Sequence, residues 1–184
     1  MSEQRRLRAD AQQNRARLIH EARRAFAGEE EVSLDAIARA AGVGIGTLYR
    51  HFPNREALVE AVYRDQVADL RTGAAELLAS RAPVPALRAW MELFADWADA
   101  KRGMVRTLAA MRAAGTVDQE ENRRDIEEII ATMLDAGVRD GELRGDVKAA
   151  DIRAQLAGTL AAATDREQAA RLFDLLLDGL RSRR

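Results

Sequence analysis

The amino-acid sequence predicts an all-α protein of about nine helices. Alanine, leucine, arginine and glutamate dominate its 184 residues, whereas proline occurs three times and aromatic residues make up 4% of the chain. This composition favours helices over strands. Apolar residues also recur every three to four positions along most of the chain, which is the spacing of one helix face. A hydrophobic fraction of 47% is enough to bury a sizeable core.

Four helices are predicted before residue 81, over about 11–27, 34–41, 45–52 and 55–80. Ser33 and Asn54 are expected N-caps of the second and fourth helices. Gly28, Gly42 and Pro53 are expected to end the first three.

Four or five further helices are predicted beyond residue 80, separated by breaks at 83–85, 102–103, 140–141 and 145–146. Asp118 with Glu121 fits a capping box that opens one of them. The predicted domains are a small N-terminal unit over 1–64, including an N-terminal arm, and a larger helical bundle over 65–184. The fourth helix is expected to connect them.

The composition argues against several classes of site. The chain has no cysteine, which excludes disulfides and thiolate metal sites, and its two histidines, His20 and His51, are too far apart for a histidine zinc site. No nucleophile–base pair or phosphate loop is recognisable, so neither an enzyme nor a cofactor is expected. No apolar run approaches the roughly 20 residues of a membrane span, and the first residues lack a secretory signal. A cytoplasmic protein is expected.

Charge is unevenly distributed along the chain. The net charge is −1, yet the first 24 residues hold seven arginines against three acidic residues. A phosphate-binding surface, if present, should therefore be local and N-terminal. Residues 1–10 are expected to form a mobile, solvated arm, with insertion of their arginines into a DNA minor groove as the alternative.

The segment 33–58 reads as a short helix, a glycine turn, a second short helix and the start of a third. A miniature core is expected from Ile37, Ala38, Ala41, Val43, Leu48 and Phe52. Gly42 can take the positive φ that a tight turn requires. Ile45, Leu48, Tyr49 and Phe52 are expected to form one buried stripe. The opposite face then carries Gly46, Thr47, Arg50 and His51, which is the arrangement of a helix-turn-helix that reads duplex DNA.

Small residues at Gly44 and Gly46 would let the second short helix approach the DNA backbone. Thr47 can contact a phosphate or a thymine methyl group, and Arg50 can donate to guanine or to a phosphate. Arg55 is expected to reach a phosphate from the next helix.

Residues 33–58 resemble the DNA-binding region of the TetR family of bacterial transcriptional regulators. The resemblance rests on Ala38-Arg-Ala-Ala-Gly-Val43, Gly46-Thr-Leu-Tyr-Arg-His-Phe-Pro53 and Arg55-Glu-Ala-Leu58, and covers about residues 12–64. It implies a homodimeric regulator, most often a repressor, that binds a palindromic operator in double-stranded DNA. A small-molecule effector bound in the C-terminal domain would alter its DNA affinity.

Residue by residue, the resemblance implies phosphate contacts from Ser33, Tyr49, His51 and Arg55, and it implies base or groove contacts from Ile45, Gly46 and Thr47. Two positions depart from the family pattern, because Gly44 replaces a common serine or threonine and Ile45 replaces a common polar residue. Backbone approach and apolar contact should therefore matter more here than a dense set of base hydrogen bonds.

Aromatic and methionine residues cluster in the middle of the bundle. They could line an effector pocket, since methionine suits adaptable cavities, or they could form ordinary core. The candidate pocket residues are Trp90, Met91, Phe94, Trp97, Met104, Leu108, Met111 and Met133.

The last two helices are apolar enough to bury two sides, one in their own bundle and one in a second subunit. The candidate dimer-interface residues are Ile152, Leu156, Leu160, Leu172, Phe173, Leu176 and Leu180. Two alternatives stay open at this point: a helical small-molecule-binding protein that no longer reads DNA, and a DNA-binding dimer without a physiological ligand.

Overall fold

A computed structural model describes residues 2–28, 32–101, 104–114 and 119–182, with the side chains of 2–4, 7, 112 and 119–122 left out. These residues form nine α-helices and no β-strand, which confirms the predicted all-α fold. The helices are α1 (Ser2–Gly28), α2 (Leu34–Ala40), α3 (Ile45–His51), α4 (Arg55–Ser80), α5 (Pro83–Ala100), α6 (Val105–Ala113), α7 (Gln119–Arg139), α8 (Ala149–Ala162) and α9 (Arg166–Leu180).

The helices group into two compact units. The first contains the described residues of 1–66 and 99–117, and the second contains those of 67–98 and 118–184. The chain passes from the first unit to the second within α4 and returns near the end of α5. The sequence-based division at residues 64 and 65 had assigned α6 to the bundle, whereas the structure groups it with the N-terminal unit.

The core of the first unit explains where α6 lies. Leu18, Ala22 and Phe26 of α1 pack with buried residues of α2, α3 and α4. Met104 and Met111, at the two ends of the α6 segment, are buried in the same cluster. A short helix with one apolar side is most stable where that side leaves water.

The predicted mobile arm at the N-terminus is helical in the structure from Ser2 onward. Residues 2–10 were expected to be mobile, but α1 begins at Ser2 and continues without a break to Gly28. The expectation followed apolar periodicity, which this stretch lacks. Its arginine, alanine and glutamine residues are nevertheless good helix formers, and no proline or glycine interrupts them.

The second unit is built from the remainder of α4 and α5 with α7, α8 and α9. The Trp90 indole nitrogen donates to the carbonyl oxygen of Leu70 at 3.0 Å, which joins α5 to α4. A Cβ at Gly73 would stand 2.8 Å from a methyl group of Leu93, so glycine permits this close approach. The predicted break at Pro83 is instead the first residue of α5, a position that tolerates proline because its missing N–H has no helical partner.

The predicted capping box consists of Asp118 and the Glu121 side chain, which lie outside the described part of the chain. The predicted loop at 140–146 is present, and Gly141 has φ 73°. This loop is held to the C-terminal end of the chain by a bond from the Arg144 amide to the Leu180 carbonyl.

Candidate nucleic-acid interface

The turn between α2 and α3 has the conformation that its sequence predicts. Ser33 caps α2, because its hydroxyl oxygen accepts from the Ala36 amide at 3.1 Å. At the other end Gly42 has φ 69°, a left-handed conformation that glycine adopts without steric cost. The Val43 amide donates to the Ala38 carbonyl at 3.0 Å and closes the turn.

The inner side of α3 fixes the helix to the rest of the unit. Leu48 is fully buried and Phe52 is 2% exposed. Ile45 and Val43 pack partly against the same core. Pro53 follows Phe52, and Asn54 then caps α4 by accepting from the Ala57 amide at 2.8 Å, as expected. The helix is thus held at its inner side and at both ends.

Tyr49 departs from the predicted buried stripe. It is 50% exposed, although it lies four residues after Ile45. Leu48 and Phe52 point directly into the core, and Tyr49 is one position away from that direction. Its ring is consequently available at the surface of α3.

The outer side of α3 is open. No atom lies within 4 Å of where a Cβ would stand on Gly44 or Gly46. Arg50 is exposed, and Thr47 and His51 are half-buried. The His51 ring lies 6.3 Å from that of Phe52, centroid to centroid. This side therefore presents two glycines, a hydroxyl, a guanidinium and an imidazole, with the exposed ring of Tyr49 next to them.

Gly44 is the N-cap of α3 and makes no side-chain capping bond. Its carbonyl accepts from the amides of Thr47 at 2.8 Å and Leu48 at 3.2 Å. A serine or threonine, which the resemblance leads us to expect at this position, would supply a hydroxyl that is missing here.

The Arg55 side chain makes its hydrogen bonds to other residues of the protein. Its Nη1 donates to the Val32 carbonyl at 2.6 Å, and its Nε donates to the Thr107 hydroxyl at 3.3 Å. The guanidinium also lies 5.0 Å from the centroid of the Phe26 ring. Arg55 thus joins the segment before α2, the start of α4 and α6.

A cleft of about 600 Å³ opens beside this guanidinium. It is lined by Val32, Ser33, Arg55, Glu56, Arg106, Thr107 and Ala110. Ser33 and Arg55 belong to the predicted DNA-binding set, so the cleft borders that surface.

The structure divides the candidate pocket residues between the two units. Trp90, Met91, Phe94, Trp97 and Met133 are all buried in the second unit. Met104 and Met111 are buried in the first unit, where Leu108 packs partly against the core. The eight residues do not therefore line one cavity within either unit.

Gln66 was missed by the sequence analysis. It is 2% exposed in α4, and neither atom of its amide has a hydrogen-bond partner among the described residues. Such a group costs free energy unless a water or a ligand satisfies it. Gln66 follows two charged residues, Arg64 and Asp65, and a glutamine in such a position gives no sequence signal of burial.

Four of the candidate interface residues are used in the core of their own protomer. Ile152, Leu156, Phe173 and Leu180 are at most 4% exposed. Leu160, Leu172 and Leu176 are half-buried. The exposed apolar residue of α9 is instead Leu175, which is 67% exposed and was not among the predictions.

Exposed small residues lie on the neighbouring helix α8, which packs against α9. They are Ala150, Ala154, Ala157, Gly158, Ala161 and Ala162.

Within the described part of the chain, no three His, Asp or Glu residues stand close enough to hold a metal ion. None of the helices described is both long and apolar enough to cross a membrane.

Comparison with known proteins identifies the N-terminal segment and the bundle separately. Residues 18–62 match the family described as bacterial regulatory proteins, tetR family. Residues 82–182 match the family described as transcriptional regulator SbtR-like, C-terminal domain.

Two solved structures resemble nearly the whole chain. A TetR transcriptional regulator from Streptomyces coelicolor is 42% identical, with 92% of this chain and 99% of that chain covered and a TM-score of 0.79. A TetR transcription regulatory protein from Mycobacterium vanbaalenii is 38% identical, with 95% and 99% covered and a TM-score of 0.73.

Curated relatives match over a shorter stretch. An HTH-type transcriptional regulator of Staphylococcus aureus strain USA300 is 43% identical over 54 residues, which span 28% of this chain and 29% of that protein. The N-terminal segment is the region shared with those relatives. Together, the two family matches and the whole-chain likenesses show that this protein belongs to the TetR family of DNA-binding transcriptional regulators, which is a family of regulators and not of enzymes.

Proposed function

We propose that the protein is a homodimeric repressor that binds a palindromic operator through α3 and is released by a small-molecule effector. The observation that carries this proposal is the exposed outer side of α3, which follows the tight turn at Gly42 and presents Gly44, Gly46 and Arg50. A tight turn followed by a short helix with one exposed, glycine-containing side is the arrangement that lets a helix enter the major groove of duplex DNA. A chromosomal operator would place the protein in the cytoplasm.

In this account α3 lies in the major groove with Ile45, Gly46 and Thr47 nearest the bases. Thr47 offers a hydroxyl and a methyl group, and Arg50 offers a guanidinium that is exposed and suited to guanine. Ser33, Tyr49 and His51 would contact phosphates. The half-exposed ring of Tyr49 supports its role, since its hydroxyl is not confined to the core.

We assign Arg55 a positioning role, which revises the expected phosphate contact. Two of its three nitrogens already donate to Val32 and Thr107. Those bonds hold α2 and α4 against α6, so that Arg55 would orient the helix-turn-helix instead of neutralising DNA directly.

Effector control would act on the helices that lead into the DNA-binding unit. Because α4 belongs to both units, a ligand that prefers one arrangement of α4 would change the spacing of two recognition helices in a dimer. Gln66, buried in α4 with an unsatisfied amide, is our first candidate for a polar contact to such a ligand.

Dimerisation would use the exposed sides of α8 and α9. Leu175 protrudes from α9, and the small residues of α8 would allow close helix approach. Two recognition helices about 34 Å apart then match one turn of a palindromic site.

The experiment is a fluorescence-anisotropy titration with the DNA that flanks the protein's own gene, compared with a scrambled duplex of equal length. The proposal requires tighter binding to one flanking region, and weaker binding as salt rises. Equal affinity for the flanking and scrambled duplexes at every salt concentration would contradict it.

A DNA-binding dimer without a physiological effector is a second candidate. It is favoured by the complete burial of Trp90, Met91 and Met133, which is the condition of a filled core. A crystal structure of the dimer distinguishes the two: a cavity beside these residues or Gln66 supports effector control, and a filled bundle supports the second candidate.

A further inference from the structure

The N-terminal half of α1 extends beyond the core of its unit. Leu18 is the first buried residue among the side chains that the structure describes in this helix. Of the described side chains in residues 5–17, Asn14 is half-buried and the others are exposed. We call residues 2–17 the α1 extension, which at about 1.5 Å per residue is about 24 Å of helix.

The α1 extension is strongly basic. It contains Arg5, Arg6, Arg8, Arg15 and Arg17, and its acidic residues are Glu3 and Asp10. No ion pair joins Arg5, Arg6 or Arg8 to a side chain that the structure describes. These three arginines lie in the first turns of the helix, where the macrodipole already favours anions. A bound polyanion would offset the repulsion among these clustered positive charges.

The base of the α1 extension, at Arg15 and Arg17, lies near both ends of α3. The Arg15 guanidinium is 5.3 Å from the centroid of the Phe52 ring, at the C-terminal end of α3. Arg17 Nη1 is 4.0 Å from where a Cβ would stand on Gly42, in the turn before α3. The base of the extension therefore lies next to the helix that is proposed to read DNA.

We propose that the α1 extension is a second DNA-contacting element, which binds the phosphate backbone of duplex DNA beside the site read by α3. This inference rests on the proposed function and adds a contact to it. A helix is about 10–12 Å across, whereas the minor groove is about 6 Å wide, so the helix itself cannot lie in that groove as an extended arm would. Its arginines instead bind phosphates at the edge of the groove and carry no sequence preference of their own.

The test measures non-specific binding and so needs no operator. The probe is a fluorescein-labelled duplex of about 30 base pairs with mixed sequence, titrated at several salt concentrations. The full-length protein is compared with the variant Arg5→Gln/Arg6→Gln/Arg8→Gln. A matched control, Arg81→Gln/Arg124→Gln/Arg139→Gln, loses the same charge at exposed positions of the second unit.

We expect the α1 variant to lower the slope of log affinity against log salt by about 2–3, since each lost phosphate contact accounts for about 0.9. The control variant should keep the wild-type slope. A second duplex of unrelated sequence should show the same loss, because the contact is to the backbone.

An unchanged slope in the α1 variant, when the wild type binds, would overturn this inference and leave the proposed function standing. An equal loss in the control would also overturn it, since net charge alone would then explain the effect. A loss confined to one duplex would overturn the backbone contact in favour of base contact. A wild type that binds neither duplex, even at the lowest salt concentration, would overturn this inference, whereas the proposed function would still be decided by the titration with the flanking duplex.

Discussion

At the scale of single residues, the proposed DNA-binding side of α3 depends on two glycines as well as on its polar side chains. The small size of Gly44 and Gly46 predicts that α3 can approach the DNA backbone closely. The structure shows open space beside both positions. The surroundings of Arg55 and Tyr49 could not be predicted from the sequence, because they depend on distant parts of the chain. The partners of Arg55 include Thr107, more than fifty positions away, and local spacing carries no information about such a contact.

Gly46→Ala separates stability from DNA binding. Alanine favours a helix over glycine by up to about 1 kcal/mol, and the methyl group meets no atom of the protein, so the thermal midpoint should rise. Operator affinity should fall about tenfold, which corresponds to about 1.4 kcal/mol, because the methyl group would hold α3 away from DNA. Thermal unfolding and anisotropy measure the two effects. Unchanged affinity in a stabilised variant would remove Gly46 from the interface.

Arg55→Gln tests the positioning role. Loss of bonds from a charged donor should lower the free energy of unfolding by about 1.5–3 kcal/mol, as measured by urea denaturation. Thr107→Val removes only the longer of the two bonds and should cost less. The salt dependence of DNA binding should stay at the wild-type slope in Arg55→Gln. A slope lowered by about 0.9 would instead identify a direct phosphate contact.

At the scale of helices, caps and breakers predicted most boundaries. Ser33 and Asn54 cap α2 and α4 as expected, and Gly42 makes the turn. These signals succeed because they depend on bonds within a few residues. The start of α1 was missed because the extension is helical through propensity, without the apolar stripe that marks a helix packed on a core.

Ser33 is expected to have two separable roles, as the α2 cap and as a phosphate contact. Ser33→Ala should cost about 1 kcal/mol of stability through loss of the cap and should also weaken DNA binding. Ser33→Asp keeps a capping oxygen, so stability should be retained, while its negative charge should repel phosphate and weaken binding further. Denaturation and anisotropy provide the two measurements. Wild-type DNA affinity in Ser33→Asp would mean that no phosphate lies near this residue.

At the scale of the whole molecule, the sequence predicted an all-α regulator but not which residues face which neighbour. Met104 and Met111 were grouped with Trp90 because all are apolar and close in sequence, yet the structure buries them in different units. The apolar residues of α8 and α9 were likewise predicted to form a dimer interface from their spacing alone. Periodicity identifies a buried side, but it cannot tell a protomer's own core from a second subunit.

Leu175→Glu tests the proposed dimer surface. A carboxylate at this exposed position should disrupt a dimer through α8 and α9 without disturbing the protomer's own core. Sedimentation velocity should then show a monomer with wild-type helicity. Val105→Glu, at a 50% exposed position of α6, is the matched control and should remain dimeric. A dimer that persists in Leu175→Glu would place the subunit contact elsewhere.

The central claim is that the open side of α3 reads DNA. The most direct measurement is the affinity of Thr47→Ala/Arg50→Ala for the flanking duplex that the wild type prefers, beside its affinity for the scrambled duplex. The control, Thr132→Ala/Arg139→Ala, makes the same two changes at exposed positions of α7. We predict that the α3 variant loses its preference for the flanking duplex while the control keeps it, and that both retain wild-type helicity. A fully folded α3 variant that keeps the wild-type preference would contradict the account.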